Sequence, residues 1–339
     1  MEKFLVIQTA FIGDAILTLP MIQKLKELNP ASSIDVIAIP ETAVIFSHSP
    51  AVNNVHVLDK HGKHNSLFQV IKFAKFMKQQ NYSRIYSPHR SLRTSILVLL
   101  SGVRETYGFD INSIKHTYKY LAAYKNANHE VERNLNLIQF ATDRENWKIL
   151  PNLNIPSEIE YKIDNFFSGF QGNTKYAAVA PGSVWNTKIY PSEYYVEITK
   201  YLAKIFDAVF LVGGESDMKI CEELKQKTSE KVKSVAGQFS IIESISFLKR
   251  MKLLISNDSA PAHLGICADI PVLMLYCSTV PDFGFYPYNK NSYFLTYNDL
   301  SCKPCGIHGF PKCPLGNFNC GYKLNPDMVT SKIKEMIND

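Results

Sequence analysis

No stretch of this chain stays apolar long enough to cross a bilayer. The most hydrophobic local run, Ile96-Leu97-Val98-Leu99-Leu100, falls far short of the ~20 residues a spanning helix needs. Neither sign of charge dominates. The 37 basic and 31 acidic side chains leave a formal net charge of +6, too mild for the concentrated basic footprint of a nucleic-acid binder. Such a charge still suits an anionic ligand or a membrane surface. There is no low-complexity tract and no repeat of solenoid period. No G-x-G-x-x-G follows the first strand-like run, which weakens a dinucleotide-dehydrogenase reading. The opening MEKFLVIQ leads straight into a strand pattern, so no secretory leader is expected and the chain is read as cytoplasmic. Peripheral membrane contact stays open. Lys72, Lys75 and Lys78 with Phe73, Phe76 and Met77 offer one surface for it, and a solvated helix face explains them equally well.

What is present is a soluble, globular balance: 46% hydrophobic and 20% charged residues over 339 positions, enough for two domains. Strand-like runs at Phe4–Gln8, Ile34–Ile39, Val55–Leu58 and Arg84–Ser87 alternate with helical patterns such as Pro20–Leu28 and Leu67–Gln79. The alternation fades across Asn146–Ser157, a proline-bearing linker, and then restarts. The second half offers strands at Tyr176–Ala180, Ala208–Val212, Leu253–Ser256 and Val272–Tyr276. Its helices are expected at Pro191–Ile205, Ser216–Thr228, Ile241–Lys249 and Ala260–Ala268. A capped amphipathic helix closes the chain from Asn325 to Asn338. Short strands alternating with helices predict an α/β protein: two doubly wound parallel sheets, with ligands in a cleft between them.

The chemistry-bearing motifs lie where strands end. After the first strand comes Gly13-Asp14, a carboxylate beside a glycine that lets a substrate approach. Asp14 is therefore a candidate general base, and its plainer reading is a helix N-cap. In the second half Pro181-Gly182-Ser183 follows a strand directly, with Lys188 just beyond, a pattern suited to phosphate. Val212-Gly213-Gly214-Glu215 is a second strand-to-glycine turn whose acid could hold ribose hydroxyls. Most telling is Asn257-Asp258-Ser259-Ala260-Pro261-Ala262-His263-Leu264, a strand running into a capped helix N-terminus able to receive a diphosphate. His263 reads equally well as a buried helix histidine.

In sequence order these segments resemble the ADP-heptose:lipopolysaccharide heptosyltransferases, glycosyltransferase family 9. The resemblance rests on Gly13 to Pro20, on Pro181-Gly182-Ser183 with Lys188-Ile189-Tyr190-Pro191, on Val212 to Glu215 and on Asn257 to Leu264. It implies the GT-B fold: an acceptor-binding domain over residues 1–155 and a nucleotide-sugar domain over 156–324. A C-terminal helix over 325–339 would then pack back toward the first domain. It implies that Asp14 deprotonates an acceptor hydroxyl, which attacks the anomeric carbon with inversion as a nucleoside diphosphate leaves. Gly13, Gly182, Ser183, Lys188, Gly214, Asp258, Ser259, Ala260, His263 and Leu264 would line the donor site. Glu215 would hold the ribose, and the loop around Gly237-Gln238-Phe239 the base. No catalytic metal is implied, and the chain has no Asp-x-Asp pair. Where many members carry glycine after the Asp-Ser/Thr pair, this chain has Ala260-Pro261, which removes one amide donor.

His89, Arg90 and Arg93 follow a strand and are the acceptor-binding candidates, since inner-core lipopolysaccharide carries phosphate and carboxylate. A solvated basic loop is the plainer reading. Arg104 and Lys115 stand as added charge, and Glu130-Val131-Glu132-Arg133-Asn134 resembles a family segment without an assignable role. Cys221, Cys267 and Cys277 read as core residues. Cys302, Cys305, Cys313 and Cys320 either brace a loop or hold a structural zinc, the only cofactor considered. Besides the heptosyltransferase reading, two others stay open. One is a GT-B enzyme with another nucleotide sugar, a protein acceptor or epimerase chemistry; the other is a non-catalytic nucleotide-binding module.

Overall fold

The computed structural model describes residues 2–170 and 174–338, so the last position of the expected 325–339 segment lies outside it. The chain forms two compact units, Met1–Asn154 and Ile155–Asp339. In the first, the order is β1 (Lys3–Ile7), α1 (Ile12–Leu28), β2 (Ser33–Ala38), α2 (Pro40–Ser47), β3 (Asn54–Val57) and α3 (Leu67–Gln79). It continues with β4 (Arg84–Tyr86), α4 (Leu92–Ser101), β5 (Glu105–Phe109), β6 (Tyr120–Ala122) and α5 (Glu130–Leu137). The six strands form one sheet in the order β3-β2-β1-β4-β5-β6, parallel throughout.

The second unit opens with α6 (Ser157–Phe167), β7 (Tyr176–Ala180), α7 (Ser192–Ile205), β8 (Ala208–Leu211), α8 (Met218–Gln226) and β9 (Val232–Ser234). It is completed by α9 (Ile241–Leu248), β10 (Leu253–Asn257), α10 (Ala260–Cys267), β11 (Val272–Tyr276), β12 (Tyr293–Thr296), α11 (Asn319–Tyr322) and α12 (Pro326–Asn338). Its sheet, β9-β8-β7-β10-β11-β12, repeats the strand order of the first. Both units are doubly wound α/β, the expected fold class.

Local sequence explains the elements. β7 and β11 are continuous apolar runs, β1 is apolar after Lys3 and β10 through Ile255, and all four are buried along nearly their whole length, as strands covered on both faces must be. In α3 the buried Val70, Phe73, Ala74 and Met77 repeat at helical spacing and pack with Leu97 and Val98 of α4. Phe73 and Met77 are thus core residues and leave the surface once considered for them. The first helix starts at Ile12, before the Pro20 expected to open it, and runs through that proline. The last helix buries Val329, Ile333 and Met336 in the second unit's own core with Leu202.

One buried carboxylate ties the first sheet's edge. Asp35 on β2 is 0% exposed. It accepts from Asn54 Nδ2 at 3.0 Å and Tyr82 Oη at 2.9 Å, with Lys3 Nζ at 3.1 Å. Burial alone would raise its pKa, but hydrogen bonds from His56, Asn54, Tyr82 and Lys3 hold it well below the carboxylate range. A depressed folded pKa stabilises above the unfolded value of about 4 and loses that contribution as pH falls. Asp35→Asn should cost ~3 kcal/mol at neutral pH. Denaturant titrations should show the deficit shrinking below about pH 4, as Asp35 protonates in the unfolded chain while the folded wild type still holds it ionised.

Candidate active site

In both units the informative loops flank the point where the strand order reverses, between β1 and β4 and between β7 and β10. There the strand carboxyl ends and helix N-termini splay apart and leave a crevice.

In the first unit, the N-cap of α1 is Phe11, which offers no side-chain cap. Asp14 therefore stands inside the first turn, one step beyond Gly13, instead of at the cap. Its pKa is raised to about 6, mainly by burial, then by the Glu130 carboxylate; Arg90 and the backbone N–H of Phe11 pull the other way. Glu130 is itself buried and held by Arg133 Nη1 at 2.8 Å and by the Tyr124 hydroxyl at 3.0 Å. Arg133, 2% exposed, also donates to the Lys125 and Asn126 carbonyls. Asn134 completes the tie from α5 to α1, its Nδ2 donating to Leu17 O at 3.1 Å. The segment Glu130–Asn134 thus gains a physical place: it sets the field around Asp14.

The acceptor candidates divide. Arg90 stacks over the Tyr124 ring at 4.2 Å and lies close enough to Asp14 to affect its charge. Arg93 donates to the carbonyls of Lys60 and His64, at 3.3 and 3.4 Å. His89 is held by Thr9 and Thr94 hydroxyls, each 2.8 Å from Nδ1. Burial, with Lys60 and Arg90 nearby, lowers its pKa to about 4, so it is neutral at physiological pH and contributes no charge. Lys60, missed from the sequence, donates to Thr9 O at 2.6 Å and brings a further cation to this edge. Its signal is faint, because a lysine before a glycine turn is ordinary.

In the second unit, Asn257 clamps the phosphate-type loop. Its Nδ2 donates to Pro181 O at 2.8 Å and Gly182 O at 3.2 Å, while its Oδ1 accepts from Tyr190 N and Tyr195 Oη. Gly182 and Gly213 are required by close approach. A Cβ at either would lie 2.1 or 2.6 Å from Asp217, whose carboxylate also accepts from Gly214 N at 2.9 Å. Asp217 was not singled out from sequence; Glu215 two residues earlier was. Glu215 is exposed beside the Gly237 turn, where Gly237 N donates to Gly213 O. Gln238 is exposed there as well, its Nε2 donating to Ser234 O at 3.3 Å. Phe239 is engaged by the Phe166 and Phe247 rings.

Lys188 lies beside the start of α10. Its ammonium pairs with Asp258 Oδ2 at 2.7 Å and donates to Asp258 O at 3.3 Å. Asp258 is buried and also accepts from Thr279. Its carboxylate is thus engaged by Lys188 and Thr279. An ammonium has three donors, so one of Lys188's remains for an anion. Ser259 is the N-cap of α10, Ala260 its first residue, and the Ala262 N–H is spent on Ser259 O. Ser183 accepts from Trp185 N at 3.4 Å. His263 is 4% exposed, its Nδ1 has no hydrogen-bond partner among the described residues, and burial lowers its pKa to about 4. Leu264 is buried in α10.

The four late cysteines line one cavity of about 310 Å³ with Pro304, Phe310 and Leu315. Among the described residues no three ligating side chains are grouped to hold a metal ion. The segment does brace the Lys188 loop: Phe310 N donates to Thr187 Oγ1 at 2.7 Å, and Cys305 N to Ser278 O at 2.9 Å. Cys221 and Cys277 are buried, whereas Cys267 is only partly so.

A family model described as glycosyltransferase family 9 (heptosyltransferase) matches residues 70–309. The chain belongs to this family. It is a glycosyltransferase of the heptosyltransferase type with the GT-B fold. Lipopolysaccharide heptosyltransferase 1 of Campylobacter coli is 22% identical, the match covering 99% of each chain. A solved glycosyl transferase family 9 structure from Veillonella parvula superposes with a TM-score of 0.87 at 21% identity, over 99% of this chain and 97% of that one. The E. coli ADP-heptose lps heptosyltransferase II gives 0.79 at 18% identity, over 98% of both chains.

For a family 9 transferase, the field at Asp14 has a kinetic signature. Glu130→Gln keeps an acceptor oxygen for Arg133 and removes the neighbouring negative charge, so the Asp14 pKa should fall. With Asp14 as the base, the acid limb of the kcat/KM profile should move to lower pH in Glu130→Gln and to higher pH in Arg90→Gln.

Proposed function

We propose that this protein transfers heptose from ADP-heptose to a lipopolysaccharide inner-core acceptor, with inversion and without a catalytic metal. The observation that carries the reading is Asp14: a carboxylate poised at about 6, at the carboxyl edge of a parallel sheet. The names of the relatives supply heptose, ADP-heptose and lipopolysaccharide as the chemistry to test.

In this reaction the acceptor O–H proton passes to Asp14 as the oxygen bonds to the anomeric carbon. The bond from that carbon to the diphosphate breaks on the opposite face, and ADP leaves with its electron pair. Lys188, oriented by Asp258, gives its remaining donor to the departing diphosphate, with the free amides at the start of α10. A base with pKa near 6 is ionised at neutral pH and still gains affinity for a proton as the hydroxyl acidifies. Gly182, Ser183 and the buried Nδ1 of His263 belong to the diphosphate side, Glu215 and Gln238 to the nucleoside. Arg90, Arg93 and Lys60 face acceptor phosphate or carboxylate, with His89 as a neutral partner.

ADP should raise the protein's Tm more than UDP, GDP, CMP or NAD at equal concentration. Lys188→Ala should abolish most of that shift, whereas Asp14→Asn should keep it and lose 10²–10⁴-fold in turnover, roughly the worth of a general base. Turnover should persist in EDTA. Selective stabilisation by UDP or GDP would move the donor to another nucleotide sugar, and no response to any nucleotide would overturn the donor site.

A further inference from the structure

Two arginines lie near Asp14 and Glu130, and their donors end differently. Arg133 spends its own on Glu130 Oε2 and on the Lys125 and Asn126 carbonyls. Arg90 is half-buried, and its backbone is what hydrogen bonds fix: the Arg90 carbonyl accepts from Ser113 N at 3.2 Å and Ser113 Oγ at 2.9 Å. Among the described residues, no carboxylate or carbonyl accepts from the Arg90 guanidinium. What it touches is the ring of Tyr124, 4.2 Å from the centroid. A side chain with so much rotamer freedom keeps one place only where something holds it.

Tyr124, just past the end of β6, is itself firmly held. Its N–H donates to Asp110 Oδ1 at 3.0 Å, in the loop after β5. Its ring meets the buried Phe109 ring edge to face, with centroids 5.2 Å apart. Its hydroxyl donates to Glu130 Oε2 at 3.0 Å and accepts from Arg133 Nη1 at 2.8 Å. Burial, then the Glu130 carboxylate, push the hydroxyl pKa to about 12, so it stays protonated and keeps donating. The residue therefore has two separable parts. Its hydroxyl belongs to the buried Glu130–Arg133 pair, and its ring is a fixed platform for Arg90. A guanidinium stacked by its face keeps its in-plane N–H groups for a planar anion.

We infer that Tyr124 is a positioning residue: its ring holds the Arg90 guanidinium beside Asp14, with the guanidinium donors free for the acceptor's anionic group. The inference rests on the reading of Arg90 as an acceptor contact and deepens it. Tyr124 takes no part in the transfer itself, because its hydroxyl is spent on Glu130 and Arg133. Its action on the reaction runs through Arg90 alone, which sets what each variant should do.

The test compares Tyr124→Leu, which removes the ring, with Tyr124→Phe, which keeps it, in the full chain. Circular dichroism and Tm establish that each variant is folded. Asp14 is first titrated by carboxyl-carbon NMR of protein labelled at aspartate, its resonance identified through Asp14→Asn, so no substrate is needed. The charges acting on it are Glu130 from α5 and Arg90 from the loop after β4. A guanidinium released to solvent favours the carboxylate less, so Tyr124→Leu should move the midpoint upward, in the direction of Arg90→Gln. Tyr124→Phe should titrate with the wild type, and Tyr124→Leu should add nothing in an Arg90→Gln background. In transfer from ADP-heptose to heptose-deficient lipopolysaccharide, Tyr124→Leu should raise the acceptor KM roughly 5-fold or more, with the donor KM unchanged. Tyr124→Phe should restore the wild-type value. The proposal is overturned if Tyr124→Leu titrates with the wild type or below it, or if its shift survives in the Arg90→Gln background. It is overturned too if Tyr124→Phe behaves as Tyr124→Leu does, or if the acceptor KM is unchanged. A wild type that transfers no heptose would contradict the proposed function instead, and the titration would still decide the role of Tyr124.

Discussion

Parallel strand pairing, with one reversal of order in each sheet, is the constraint on which the rest of this protein depends. A parallel strand can be followed by its neighbour only through a crossover, so every helix N-terminus and strand carboxyl end gathers on the same edge. Where the order reverses, between β1 and β4 and between β7 and β10, adjacent loops leave in opposite directions. The loop carrying Asp14 is there in the first unit, opposite the loop of His89 and Arg90. In the second unit the Gly182–Lys188 loop meets the start of α10 in the same way, and Asn257 fastens the two together.

Electrostatics then separate the two halves of the chemistry. In the first unit, burial and Glu130 weaken an acid until it can take a proton near neutrality. In the second, Asp258 holds an ammonium in place without removing its last donor, and burial keeps His263 neutral. The first arrangement suits a proton acceptor and the second an anion. Both rest on partners from other elements. Glu130 comes from α5 and Thr279 from the loop after β11, and each is buried with its hydrogen bonds made.

Much of this was legible in the residues themselves. β1, β7, β10 and β11 announce themselves by apolar runs of three to five residues because both of their faces are covered. β5, with its glycine, and the three-residue β6 and β9 carry too little pattern to be read. Edge strand β12 is exposed at Tyr293 and Phe294, so burial does not shape its sequence. Asp14 and the loops of the second unit were visible because glycine, proline and a charged residue cluster at a strand end. Lys60, Glu130 and Asp217 were not, since their importance lies in what they touch. Pro20 misled for a different reason: proline usually marks a helix start, but here it is buried within α1.

The most direct test of the central claim is the anomeric configuration of the product, read by NMR after transfer from ADP-heptose. A single displacement assisted by Asp14 predicts a product inverted at the anomeric carbon relative to the donor. A retained configuration would contradict the account, because it requires a second displacement that Asp14 acting as a base does not provide.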